Sequence, residues 1–63
     1  MKGYHEYLEL HSYFAQGEPK LSRAEFDAAD SEWRGLAARH TLLDGAERAR
    51  LAQLKGLLYR DKP

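Results

Sequence analysis

The chain predicts an all-α fold, a small three-helix bundle with helices over about residues 3–15, 22–39 and 44–59. Two observations predict it. Apolar residues recur at helical rather than strand spacing in each stretch, and breaker or capping residues separate the stretches at QGEPK (16–20) and HTLLDG (40–45). Short connections make neighbouring helices antiparallel, so the second and third are expected to form a helical hairpin.

In the first stretch, rotation by about 100° per residue places Tyr4, Tyr7, Leu8, His11, Phe14 and Ala15 on one face, with Leu10 at its margin. His5, Glu6, Glu9 and Ser12 take the other side, and Tyr13 falls there too, beside Glu6. Strand alternation would leave Tyr7 without an apolar face. Gly17 suits a left-handed C-cap, and Pro19 prevents the helix from continuing.

The second stretch opens on LSRAEF, where Ser22 and Glu25 have capping-box spacing and Leu21 and Phe26 that of a hydrophobic staple. Phe26, Ala29, Trp33, Leu36, Ala37 and His40 then form one stripe, and Glu25, Asp27, Ser31, Arg34 and Ala38 face away. Asp27 and Asp30 early and Arg34 and Arg39 late suit the helix dipole.

The third opens on DGAE, with Asp44 and Glu47 as a second capping pair and Thr41 with Asp44 as a competing start. Leu51, Leu54, Leu57 and Leu58 make the apolar face, and Ala49, Ala52 and Gly56 make a small-residue stripe beside Tyr59. Such a helix is contacted on two sides or simply carries alanine, a good helix former, on a solvated face. The last residues, 60–63 (RDKP), are expected to fray.

Composition bounds what this single domain of 63 residues can do. It is close to the smallest size that folds without staples, and with no cysteine it has neither disulfides nor thiolate metal sites. Ten basic and ten acidic side chains cancel, which argues against a general polyanion binder. No apolar run can span a membrane, and Glu6 and Glu9 interrupt any leader-like segment, so a cytoplasmic chain is expected. The Met start and the lack of tag-like residues lead us to expect a whole natural product.

YHEYLELH (4–11) begins like the H-E-x-x-H signature of zinc hydrolases, in which histidines four apart converge on one ion. His5 and His11 are six apart, a turn of about 240°, and point to nearly opposite sides. His5 with Glu9 leaves a two-ligand surface pair, short of the three or four protein ligands a zinc site takes. His11 and His40 lie on the apolar stripes of their helices. If those helices pack face to face, the two form a metal pair or a pH switch; the plainer alternative is a core-edge histidine bonded to a backbone carbonyl. Ser12, Ser22 and Ser31 have no accompanying base, Gly17, Gly35, Gly45 and Gly56 form no phosphate loop, and so small a chain is not expected to build a pocket of several hundred Å3. No catalytic, cofactor or metal residue is therefore assigned, and neither an enzyme nor a small-molecule substrate is expected.

Two binding readings remain. The first helix carries more apolar surface than two neighbours need, which points to a protein partner or a second copy contacting Tyr7, Leu10 and Tyr13, with Ala49, Ala52, Gly56 and Tyr59 as a second patch. The alternative is a nucleic-acid-associated regulator. Residues 41–63 carry five bases against three acids, and Arg48, Lys55 and Lys62 align at seven-residue spacing. Nucleic acid is the less expected partner, because those bases otherwise spread around the helix.

Overall fold

The computed structural model describes residues 3–61, which form three α-helices and one short 3-10 turn: α1 (Tyr4–Phe14), α2 (Arg23–Ala38), the turn His40–Leu42, and α3 (Gly45–Leu57). The fold is the expected three-helix arrangement, and α2 is the common partner, packing along α3 as a hairpin and against α1.

Both predicted capping boxes form. Ser22 Oγ accepts from the Glu25 amide and the Glu25 carboxylate accepts from the Ser22 amide (3.1 and 2.8 Å); Asp44 and Glu47 do the same at α3 (2.8 and 3.2 Å). The competing start at Thr41 belongs instead to the 3-10 turn. Helix α1 ends in a β-turn closed by Glu18 N–H on the Ala15 carbonyl (3.1 Å), with Gly17 at φ +86° in the third position, where a type II turn needs positive φ.

The core has two parts. Tyr7, Phe26 and Leu58 fill one, with Leu21 packed against them as the staple requires; Leu36, Leu43 and Leu54 fill the other. Trp33 and Ala29 touch both and join them. Leu57 leaves the predicted apolar face and is 44% exposed, because it is rotated about 60° from Leu54, off the line that meets α2.

The C-terminus does not begin to fray at residue 60. Arg60 N–H reaches the Lys55 carbonyl (2.8 Å) and Tyr59 N–H the Gly56 carbonyl (3.2 Å), a Schellman pair that ends α3 with Tyr59 at φ +58°. The Arg60 side chain is 5% exposed, bonds Asp30 through Nη2, and lies over the Trp33 ring at 5.0 Å. Asp30 also accepts from Arg34 Nε at 2.9 Å, so one carboxylate serves two guanidinium groups. Residues 62 and 63 lie outside the described part.

Candidate functional site: a groove between α1 and α3

Three α1 side chains at i, i+3 and i+7 hold the connector between α1 and α2. Tyr4 donates its hydroxyl proton to the Leu21 carbonyl (2.9 Å), and the Tyr7 hydroxyl accepts from the Leu21 amide (3.0 Å). Both backbone groups of Leu21 are thus satisfied by side chains on one helix face. His11 adds the third tie, Nε2 to the Glu18 carbonyl at 2.9 Å. A carbonyl only accepts, so Nε2 carries a proton, and Nδ1 lies within hydrogen-bonding distance of the Tyr59 hydroxyl at 3.2 Å. Burial first, then Tyr7 and the Glu18 carboxylate, push the Tyr59 phenol above its ordinary value, which keeps it a donor.

The held connector stands away from α3 and leaves an open groove of about 480 Å3. Glu18, Pro19 and Leu21 form one wall and Ala52, Gln53, Gly56 and Leu57 the other, with Tyr7, His11 and Tyr59 at the base. No α2 side chain lines it. The expectation that so short a chain builds no space of this size is therefore corrected: the tyrosine and histidine bonds prop the connector apart from α3.

An aromatic row runs outward from the groove. Tyr59 stacks with Tyr7 and Phe14 (centroids 5.5 and 6.1 Å), and Phe14 meets Tyr13 edge-on at 4.7 Å. Tyr13 is 79% exposed and Phe14 44%. Phe14, predicted to face inward, thus opens to solvent at the α1 C-terminus.

The predicted contact residues divide. Tyr13 is exposed and Leu10 half-buried, but Tyr7 is 3% exposed and belongs to the core, where its ring packs on Phe26 and its hydroxyl is used by Leu21. Ala49, Ala52 and Gly56 are exposed on the side of α3 away from Leu54, and Tyr59 is half-buried. His11 and His40 do not form a pair. His11 is held by Tyr59 and Glu18, whereas His40 is exposed in the turn beyond α2 with Nδ1 near the Ala37 carbonyl (3.2 Å). His5 and Glu9 meet at 3.0 Å on an exposed face, and no group of three or more potential metal ligands exists among the described residues.

For the nucleic-acid alternative, Arg48 and Lys55 are exposed and Lys62 lies outside the described residues. Arg48 Nε is spent on the Leu43 carbonyl at 3.1 Å. Arg50 grips Glu32 through two bonds of 2.7 and 2.8 Å, holding that carboxyl below its usual value. Arg39 reaches Glu47 at 3.4 Å and Arg60 holds Asp30, so much of the positive charge around α3 is neutralised within the fold. Among the described residues no helix is long and apolar enough to cross a membrane.

No family model, curated protein or solved structure matches the chain.

Proposed function

We propose that this chain is a small, non-enzymatic protein-interaction module, acting as a regulator, adaptor or assembly subunit in the cytoplasm, and that it engages its partner through the α1/α3 face. One observation carries the reading: Tyr13, Phe14 and Leu57 hold large apolar side chains in solvent, with exposures of 79, 44 and 44%, and Tyr13 and Phe14 meet edge-on at the C-terminal end of α1. Clustered exposed aromatics are characteristic of interface anchors. The capped helices and the polar ties of Tyr4, Tyr7 and His11 provide a rigid base, so little ordering cost attends contact. The nucleic-acid alternative retains only Arg48 and Lys55 as exposed cations on α3, apart from the Arg50 that Glu32 holds, which is little for backbone binding.

A photo-activatable phenylalanine analogue at position 13, in the full chain expressed in cells, tests the reading. Discrete protein adducts are expected there and not from the same analogue at Asp27, on the outer side of α2. Equal or absent adducts at the two positions would overturn it.

A further inference from the structure

We infer that the Asp44–Gly45 peptide is a site of covalent self-modification: Asp44 rearranges to isoaspartate when the first turn of α3 opens, and the capping box suppresses the reaction. The inference stands apart from the interaction reading, since neither residue lines the α1/α3 groove.

The chemistry belongs to the residue pair. The Gly45 nitrogen attacks the carboxyl carbon of the protonated Asp44 side chain. A C–N bond forms, and the amide hydrogen and the carboxyl hydroxyl leave together as one water. Water then opens the resulting succinimide at either carbonyl. One opening restores aspartate; the other leaves the main chain running through the side-chain carbonyl, as isoaspartate. Nothing is oxidised or reduced, and water is the only co-reactant. The residue after the aspartate governs the first step, because a side chain there crowds the attacking nitrogen. Of the four aspartates only Asp44 precedes glycine; Asp27, Asp30 and Asp61 precede Ala28, Ser31 and Lys62. The chain holds no asparagine, which would react by the same route.

Nothing in the described fold requires glycine at position 45. Its φ is not positive, and a Cβ there would meet no atom within 4 Å. Asp44 and Gly45 are both exposed to the water that opens the ring. What the fold controls is when the pair reacts, because every polar group of Asp44 is engaged. Its side-chain oxygen accepts from the Glu47 amide (2.8 Å), its own amide donates to the Glu47 carboxylate (3.2 Å), and its carbonyl accepts from the Arg48 amide (3.0 Å). The first bond ties the carboxyl to the turn, and the last fixes the peptide plane that contains the Gly45 nitrogen. Attack needs carboxyl and plane to rotate toward each other, so the rate follows the fraction of time this turn is open. Rearrangement then makes the opening permanent. It adds a backbone carbon beside Leu43, which is 5% exposed between Leu36 and Leu54, and displaces the carbonyl that Arg48 uses. An isoaspartyl chain thus carries a lasting mark that its α2/α3 hairpin has opened.

The test incubates the full chain at neutral pH and body temperature and follows isoaspartate by peptide mapping with electron-transfer fragmentation. Wild type is expected to form it at Asp44 ahead of Asp27, Asp30 and Asp61. Glu47→Ala should react about five-fold faster, the rise in open population that loss of a helix cap brings. Glu47→Gln, which keeps the box while losing the carboxylate that Arg39 reaches, should stay within about two-fold of wild type. Gly45→Ala should slow the reaction in every condition. Wild type in concentrated urea should react faster than the folded chain, an arm that holds even where Glu47→Ala fails to fold. Isoaspartate appearing first at another aspartate overturns the inference. So does a folded Glu47→Ala chain that reacts at the wild-type rate, or a wild type equally fast with and without urea.

Discussion

Replacing Tyr7 by Phe isolates the bond that positions the groove wall. The ring stays, with its packing against Phe26 and the Tyr59 stack at 5.5 Å, and only the oxygen that accepts from the Leu21 amide at 3.0 Å is removed. Leu21 is half-buried and its amide has no helix to return to, since α2 begins at Arg23. An orphaned amide in such a place costs about 1–3 kcal/mol. Domains of this size hold roughly 3–9 kcal/mol in all, so the loss is a large share of the total. At about 4–8 °C per kcal/mol, the expected drop in Tm is roughly 5–15 °C for the lower half of that range. Tyr4→Phe removes the donor to the Leu21 carbonyl instead, and a carbonyl at the surface recovers water easily, so its cost is smaller, about 0.5–1.5 kcal/mol. Circular-dichroism melts give the order, and amide exchange at Leu21 gives the cause: protection there should fall in the Tyr7 variant more than in the Tyr4 variant. A Tyr7→Phe protein that melts within about 2 °C of wild type, with Leu21 exchange unchanged, would refute the clamp.

Arg60→Ala is expected to destabilise by about 2–4 kcal/mol and to shift the emission of Trp33, the single tryptophan, because it strips Asp30 of a buried partner. Arg60→Met should cost somewhat less: it leaves Asp30 with Arg34 alone, as Ala does, but keeps the packing over the Trp33 ring and removes an Nε that is buried without an acceptor. Tyr59 sets the alkaline limb. Its folded value lies above the ordinary 10.0, so its contribution is complete below about pH 10 and is lost as pH rises through the folded value; denaturant midpoints from about pH 9 to 12 should fall for wild type and fall less for Tyr59→Phe. Glu32, held low by Arg50, acts in the opposite sense. Its contribution is present above the ordinary carboxylate value of 4.5 and lost as pH falls through the folded one, so Glu32→Gln should flatten the midpoint curve between about pH 5 and 3.

Local features were the legible ones. Ser22 with Glu25 and Asp44 with Glu47 work within one turn, and each box formed at the expected residues. The helical spacing of Phe26, Leu36, Leu54 and Leu58 likewise survived into the core. What escaped notice depends on where distant segments return. Tyr4, Tyr7 and His11 are visible as one face of α1, but their polar atoms meet the connector only because the turn at Gly17 brings it back. Arg60 reads as a tail residue until α3 delivers it to Asp30, thirty positions earlier. The groove is legible least of all, because it is space left by those bonds rather than a pattern of residues.

The same bonds explain why aromatic side chains end up outside. Helix α1 has apolar and aromatic residues at inward angles along its whole length, yet its inner face is partly committed to hydrogen-bonding the connector. Tyr7 and His11 reach past the core to Leu21 and Glu18, which fixes the rotation of the helix about its axis. With that rotation set, Phe14 lies about 60° from His11 on the rim and Tyr13 about 200° from it in solvent. Turning the helix to bury them would break the ties and open Tyr7. The exposed aromatic row is thus the consequence of a polar attachment that the small core cannot do without, and any partner that covers the row recovers burial the monomer forgoes. On the proposed reading contact is therefore coupled to stability: conditions that weaken the clamp should weaken association with a partner too.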